Sequence, residues 1–533
     1  MSSVFIAALL FTGVIAVYQL LRIGRRPPDY PPGPPALPLI GNLHQIPSEG
    51  THLQFQKWAQ EYGPIYSLMA GSRPIVVLNT DDAVKELFDR RGSIYSSRPD
   101  SYIIDVVTGG TKFGVMPYND TWKKCRAVCA RVLDPNSAKS YVPYQDLEVK
   151  QTLNELLHKP ELFVDHLRRY TNSLSFQIVF GFRVPDTHDP NLTHVYESFD
   201  RWTGVLRKAI LFDLYPSLRH LPDFMVPLRK TAKAIQETES GFYLRHWHAA
   251  KEKIENGDAK PCLAKQVLKA QKAHGFPDKL ASALCGDLIQ AASDTTANQL
   301  TAFIQAMILF PEVQRRAREE IDRVCGEKLP TVKDAYLLPY VRACVKETLR
   351  WMPTALLGIP HSVTQNDEYM GYRIPKNAIV MMNTWAIHMD PNRHAEPRVF
   401  DPLRYIEDHS TARESAVRAD PTQRDHFGFG AGRRLCPGID VAENGLYLGI
   451  ARILWAFDIT AEKDAYGRDI IPDPEKFTSG MACSPQSFPA RITPRDQSHA
   501  KAVLAEWELA QDVLDRDDKQ WRIIPHKAGM ESV

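Results

Sequence analysis

The stretch His426–Ala442, HFGFGAGRRLCPGIDVA, holds a single cysteine, Cys436, among glycines, two arginines and a proline. A thiol that only fills a core sits more often among aliphatic side chains. Here Pro437 follows the cysteine and a helical pattern begins at about Gly438. Proline suits the first turn of a helix, where its missing N–H is not needed. Cys436 is therefore expected at a helix N-terminus, where free amide donors and the positive dipole end favour a thiolate. Gly430, Gly432 and Gly438 let the backbone approach a flat partner closely, and Arg434 adds a cation two residues away. A negatively charged sulfur facing a planar, anionic group fits the whole pattern.

Haem is such a group, with its iron on the sulfur and its propionates on arginines. The run Phe429-x-x-Gly432-x-Arg434-x-Cys436-x-Gly438 resembles the cysteine-ligand loop of the cytochrome P-450 monooxygenases. Other segments agree with that resemblance. Glu347 and Arg350, in KETLR, share a helix face and resemble the family's Glu-x-x-Arg pair; taken alone, they would equally make a surface ion pair. FDPLRY places Arg404 where the family has the third member of that set, with Tyr405 where phenylalanine is usual. The resemblance makes Trp122 and Arg126, in WKKCR, and His361, in GIPHSV, donors to the haem propionates. These motifs run from Trp122 to Gly438 in the family's order.

Ala281–Phe310, ASALCGDLIQAASDTTANQLTAFIQAMILF, is a run without proline and apolar on most sides, expected as a helix buried through the middle of the domain. Its AASDTT segment resembles the family's oxygen-activation motif, with Asp294 the acid and Thr295 the alcohol. An acid beside a hydroxyl can relay protons to bound dioxygen. The competing use of Thr295 is a hydroxyl bonded back to its own helix. In the family the helix opens locally here; Ala292 stands where glycine is frequent, so the opening is expected to be less ready.

With 533 residues and a net charge of +2, the chain has room for a sizeable core and no basic excess to suit nucleic acid. Its eight scattered cysteines make no disulfide framework, and Cys125 and Cys129 read as thiols packed on one helix face. Val4–Leu21 is uncharged and about as long as a bilayer-spanning helix, with Arg22, Arg25 and Arg26 behind it. That order favours a single-pass anchor with the rest of the chain in the cytosol over a cleaved signal peptide. The division expected is an anchor and basic stop over 1–26, a stiff Pro-rich hinge over 27–41, a haem-binding catalytic domain over 42–497 and a helical tail over 498–533. Val503, Trp507, Ala510 and Leu514 form one stripe of that tail, expected to dock on the body. Strand-like pieces near 65–79 and 368–385 complete a fold that is mainly α with small β-sheets, the cytochrome P-450 fold.

By resemblance the protein is a membrane-anchored haem-thiolate monooxygenase that inserts one oxygen atom of O2 into a small hydrophobic substrate. The stretch after Cys436 is too short for a flavin domain, and GFGAG fails the spacing of a dinucleotide loop. Electrons are therefore expected from NADPH through a separate flavoprotein reductase in the endoplasmic reticulum membrane. Lys123, Lys124 and Arg433 would supply its docking face. The pocket is expected from Ser101 to Phe113, Leu288 and Ala291, Thr354 to Gly358, and Phe477 to Met481. The loop and tail are similar to those of fungal microsomal members, many of which tailor secondary metabolites. That favours hydroxylation of an aromatic polyketide-type intermediate. A terpenoid or alkaloid substrate, xenobiotic detoxification and a haem-thiolate isomerase or dehydratase are the alternatives, the last disfavoured by Asp294 and Thr295.

Overall fold

The computed structural model describes residues 2–478 and 480–522. Helix α1 (Ser2–Arg22) is, among the described residues, the one helix long and apolar enough to cross a membrane. Its window Phe5–Arg22 has a mean hydropathy of 1.8 and packs on nothing. The Pro-rich segment behind it is fixed to the body. Ser67 N–H donates to Pro32 O at 2.7 Å and Arg26 donates to Gly33 O at 2.6 Å. A Cβ on Gly33 would lie 2.1 Å from Ser67 O, so only glycine permits this approach.

Strand β1 (Ile65–Ala70) pairs antiparallel with β2 (Arg73–Leu78). Further along, β3 (His361–Ser362) and β4 (Ile379–Met382) complete a four-stranded sheet in the order β1-β2-β4-β3, with β2 and β4 parallel. A second sheet joins β5 (Phe457–Lys463) to β6 (Ala490–Pro494). Everything else of size is helical. The helices that frame the site are α2 (Tyr102–Thr108), α3 (Asp120–Val132), α4 (Val142–His158), α5 (Phe163–Phe180), α6 (Pro190–Leu214), α7 (Pro227–Glu255), α8 (Asp278–Leu309), α9 (Pro339–Trp351), α10 (Ile439–Ala456) and α11 (Gln497–Gln511).

The expected central helix is α8. Leu300, Phe303, Ile304 and Met307 are fully buried, and the main core cluster joins them to α5, α9 and α10. A Cβ on Gly449 would meet Leu300 at 3.0 Å, which lets α10 lie close against α8. Cys125 and Cys129 are buried on α3 as expected.

The tail docks as its stripe implied: Val503, Ala510 and Leu514 are buried and Trp507 packs against them. It also reaches an ionic network that the sequence did not announce. Glu148 on α4 is fully buried between Arg169 and Arg183, with Arg183 Nε at 2.7 Å. Burial works against the Glu148 charge, but Arg183 and Arg169 outweigh it and hold the carboxyl below its usual range. Gln520 exchanges hydrogen bonds with the Arg183 backbone, and Trp521 Nε1 donates to Gln177 at 2.6 Å. Residues 523–533 of the expected tail lie outside the described residues.

Candidate active site

The Cys436 loop is built by backbone constraint. Gly432 has φ +64°, and a Cβ there would sit 2.1 Å from Phe88 O, so any side chain would push the loop off its neighbour. Cys436 N–H donates to Phe429 O at 2.9 Å, closing the turn. Gly438 then caps α10, and Ala442 N–H donates back to its carbonyl at 2.9 Å. The helix N-terminus is thus where the sequence placed it. Its effect on the thiol is weaker than expected: burial pushes the Cys436 pKa up, and the Gly438 N–H and Arg126 only partly offset that. Helix donors alone do not make a thiolate here; a coordinated cation does so outright.

Around the loop lies a concentration of guanidinium. Arg434 stacks over the Trp122 ring at 3.9 Å and donates to Ser96 O at 2.8 Å and Met116 O at 2.7 Å. Arg126 donates to Leu435 O at 2.5 Å. Arg98 donates to Gly114, Ile359 and Pro360 carbonyls at 2.7–3.0 Å. Among the described residues none of the three has a carboxylate partner. Burial, with the neighbouring guanidiniums, pulls Arg434 down to about 8; burial alone pulls Arg98 down to about 9. A guanidinium keeps its proton in proteins, so such burial is a standing cost until an anion shares the site. The Trp122 indole N–H is buried with no hydrogen-bond partner, a donor left for an acceptor outside the protein. Carbonyl-bound cations and a free N–H beside a cysteine fit an anionic, metal-bearing macrocycle.

His361 Nδ1 lies 2.7 Å from Tyr95 O, so that nitrogen carries the proton. The ring is depressed well below its usual pKa by burial and by Arg98 and Arg434. A neutral His361 with Nδ1 engaged can only accept at Nε2. It becomes a donor to a carboxylate only when that carboxylate's charge favours the imidazolium.

Glu347 and Arg350 form a bidentate pair at 2.6 and 2.7 Å, both fully buried. Arg404 joins at 3.4 Å and the Asp401 N–H at 2.9 Å. Tyr405, the departure from phenylalanine, is accommodated because its hydroxyl reaches Asp425 O at 2.8 Å.

On α8, Ala291, Ala292 and Thr295 are exposed in the middle of an otherwise buried helix, so this face lines open space. Asp294 accepts from Asn298 at 3.2 Å, and burial raises its pKa against the pull of Arg168. Thr295 Oγ1 donates to Ala291 O at 2.8 Å, the back-bonded arrangement. The helix is continuous through this point, where local opening was the family expectation. Ala292 favours that continuity. Two residues before Thr295, the Ser293 carbonyl accepts from Thr171 on α5 and from Tyr196 on α6, the latter at 3.0 Å.

With this geometry in place, similarity to known proteins decides the family. The model of the family Cytochrome P450 matches residues 31–482. The chain belongs to the cytochrome P450 family. It is 49% identical over 519 residues to the cytochrome P450 monooxygenase virE of Hypocrea virens, covering 96% of this chain and 94% of that one. It is 47% identical to fogE of Aspergillus ruber and 45% to fsoB of Humicola fuscoatra, each also a cytochrome P450 monooxygenase, with 97% of both chains covered in each case. The protein is therefore a haem-thiolate monooxygenase, an oxidoreductase of the kind found in fungal secondary metabolism.

Of the expected P450 site residues, the structure gathers Trp122, Arg126, His361, Phe429, Arg434 and Cys436 in one region. Sequence reading missed Arg98. It lies in SSRPD, without a spacing signal, and two of its three carbonyl partners are more than 260 residues away. Lys123 and Arg433 converge on the Tyr118 ring at 5.3 and 5.4 Å, and both are exposed, as is Lys124. Of the pocket segments, Ser479 lies outside the described residues.

Proposed function

We propose that the chain is a membrane-anchored, reductase-dependent hydroxylase of a small hydrophobic fungal metabolite, with an aromatic polyketide-type intermediate as the favoured substrate class. The observation that carries the site assignment is the set of guanidiniums around Cys436, Arg98 buried and Arg126 and Arg434 half-buried, without carboxylate partners among the described residues, with the orphaned Trp122 N–H. Cys436 would ligate the haem iron. Trp122, Arg126, Arg434 and, as imidazolium, His361 would hold the propionates, with Arg98 added to that set. Phe429 would back the loop under the ring. Bound there, haem supplies dioxygen activation at a thiolate-ligated iron. The chain's part is to keep the sulfur aligned and to deliver protons. Asp294 would take a proton from solvent, and Thr295 would turn its hydroxyl from Ala291 O into the open space to pass it on.

α1 followed by basic residues supports a single-pass anchor in the endoplasmic reticulum with the catalytic body in the cytosol. On that side Lys123, Lys124 and Arg433 would meet an acidic NADPH-dependent flavoprotein reductase. The catalytic unit would run over 42–497, with the tail as its brace.

The spectrum of the reduced protein with carbon monoxide tests the assignment. A strongly red-shifted Soret band is expected in the wild type and its loss in Cys436→Ala, with turnover abolished; a retained band in that variant overturns the ligand assignment. In Thr295→Ala, NADPH consumption should continue while product falls about 10-fold or more and peroxide rises, as loss of proton delivery requires. Unchanged coupling would remove Thr295 from the relay.

A further inference from the structure

Beyond the haem region, α8 carries a second polar cluster. Asp287, half-buried in the first third of the helix, accepts from the Phe113 N–H. Lys112 Nζ lies 3.2 Å from Asp287 and also donates to Gln290 Oε1. Gln290 Nε2 donates to Glu239 on α7 at 3.0 Å. An ammonium has three donors; two are engaged here, and the Nζ also lies 5.4 Å from the centre of the Trp202 ring. The Glu239 carboxylate accepts one bond and has capacity for more. Tyr243, also on α7, is 5% exposed, and its hydroxyl has no hydrogen-bond partner of acceptable geometry, though it lies beside Gln290. Its ring is seated by Gly286, where a Cβ would come within 2.6 Å.

These groups line a cavity of about 30 Å³ between α2, α7 and α8. That is room for roughly two water-sized groups, an oxygen or two of a ligand but not a whole substrate. Asp287, Ala291 and Thr295 are spaced four apart, so they share one face of α8. Ala291 and Thr295 are exposed to open space. The cluster therefore stands at one end of a stripe whose other end is the proposed proton donor, about 12 Å away along the helix.

We propose that Lys112, Glu239 and Tyr243 anchor an uncharged hydroxyl of the substrate, with its apolar remainder lying along Ala291 toward Thr295. The inference rests on the reading of Thr295 as facing the activated oxygen. The chemistry is selective for a neutral group. The lining holds two cations, Lys112 and Lys279, and two carboxylates, Asp287 and Glu239, so an added charge of either sign is left without a counter-charge while a hydroxyl both donates and accepts. The anchor fixes which end of the molecule is protected from oxidation. Carbons far from the hydroxyl are the ones presented.

The test uses purified full-length holoenzyme, 4-heptylphenol and its methyl ether, each titrated by the Soret shift of the ferric haem. Wild type should bind the phenol about 10-fold more tightly than the ether, the worth of a hydrogen bond to a charged group. Glu239→Gln and Tyr243→Phe keep size and packing. Each should bring that preference to within about 2-fold while ether affinity stays unchanged. No preference in the wild type, no response to either probe, or a preference kept in both variants overturns the anchor. A red-shifted carbon monoxide band in all three proteins separates that result from failure of the haem-thiolate reading. A wild type without the band defeats both.

Discussion

Arg350 is buried and Arg434 half-buried, and they do opposite things. Arg350 is fully enclosed with Glu347 on two hydrogen bonds, and although burial works against its charge, that partner raises its pKa. Arg434 has two carbonyls and an indole face but, among the described residues, no carboxylate, and its pKa falls to about 8. One cation is complete within the chain; the other is incomplete without an anion from outside. The lesson is that burial of a charge does not separate structural from functional residues, whereas the source of the counter-charge does.

Substitutions break or sharpen this contrast. Arg350→Met strands the Glu347 carboxylate in a dry core and should cost about 3–5 kcal/mol, enough to leave little soluble, helical protein; circular dichroism and expression yield read it. Normal folding in that variant would end the distinction. Arg434→Met should instead keep the far-ultraviolet spectrum and lower the haem-to-protein ratio about 10-fold, because it removes an unpaired cation from the polypeptide and a counter-charge from the cofactor. A full haem complement would show that the propionates lie elsewhere. Smallest is Trp122→Phe. It removes one N–H donor worth about 1 kcal/mol, so haem retention should fall roughly 5-fold with the fold intact. Faster haem transfer to an apoglobin acceptor is the readout.

What the sequence displayed follows the same line. Cys436 with its glycines, Glu347 with Arg350, and the Asp294–Thr295 step are short-range patterns, and α8 announces itself by length and apolar content. Arg98 stayed hidden because two of its three carbonyl partners, Ile359 and Pro360, come from more than 260 residues along the chain. The Lys112–Asp287–Glu239 cluster stayed hidden because it joins the segment after α2 to two helices through the packing of Tyr243 on Gly286. The state of Thr295 was also unreadable. Only the structure shows its hydroxyl turned back to Ala291. Such choices depend on tertiary neighbours, which spacing does not encode.

The docked tail has a consequence in time. Arg183 and Gln520 are 337 residues apart in sequence, and Gln177 and Trp521 are 344. Synthesis runs from the N-terminus, so most of the body is made while Gln520 and Trp521, the tail partners of Arg183 and Gln177, do not yet exist. The tail's bonds to Arg183 and Gln177 can close only after translation has passed Trp521. The body of this enzyme is therefore nearly complete in sequence before its last brace can be set.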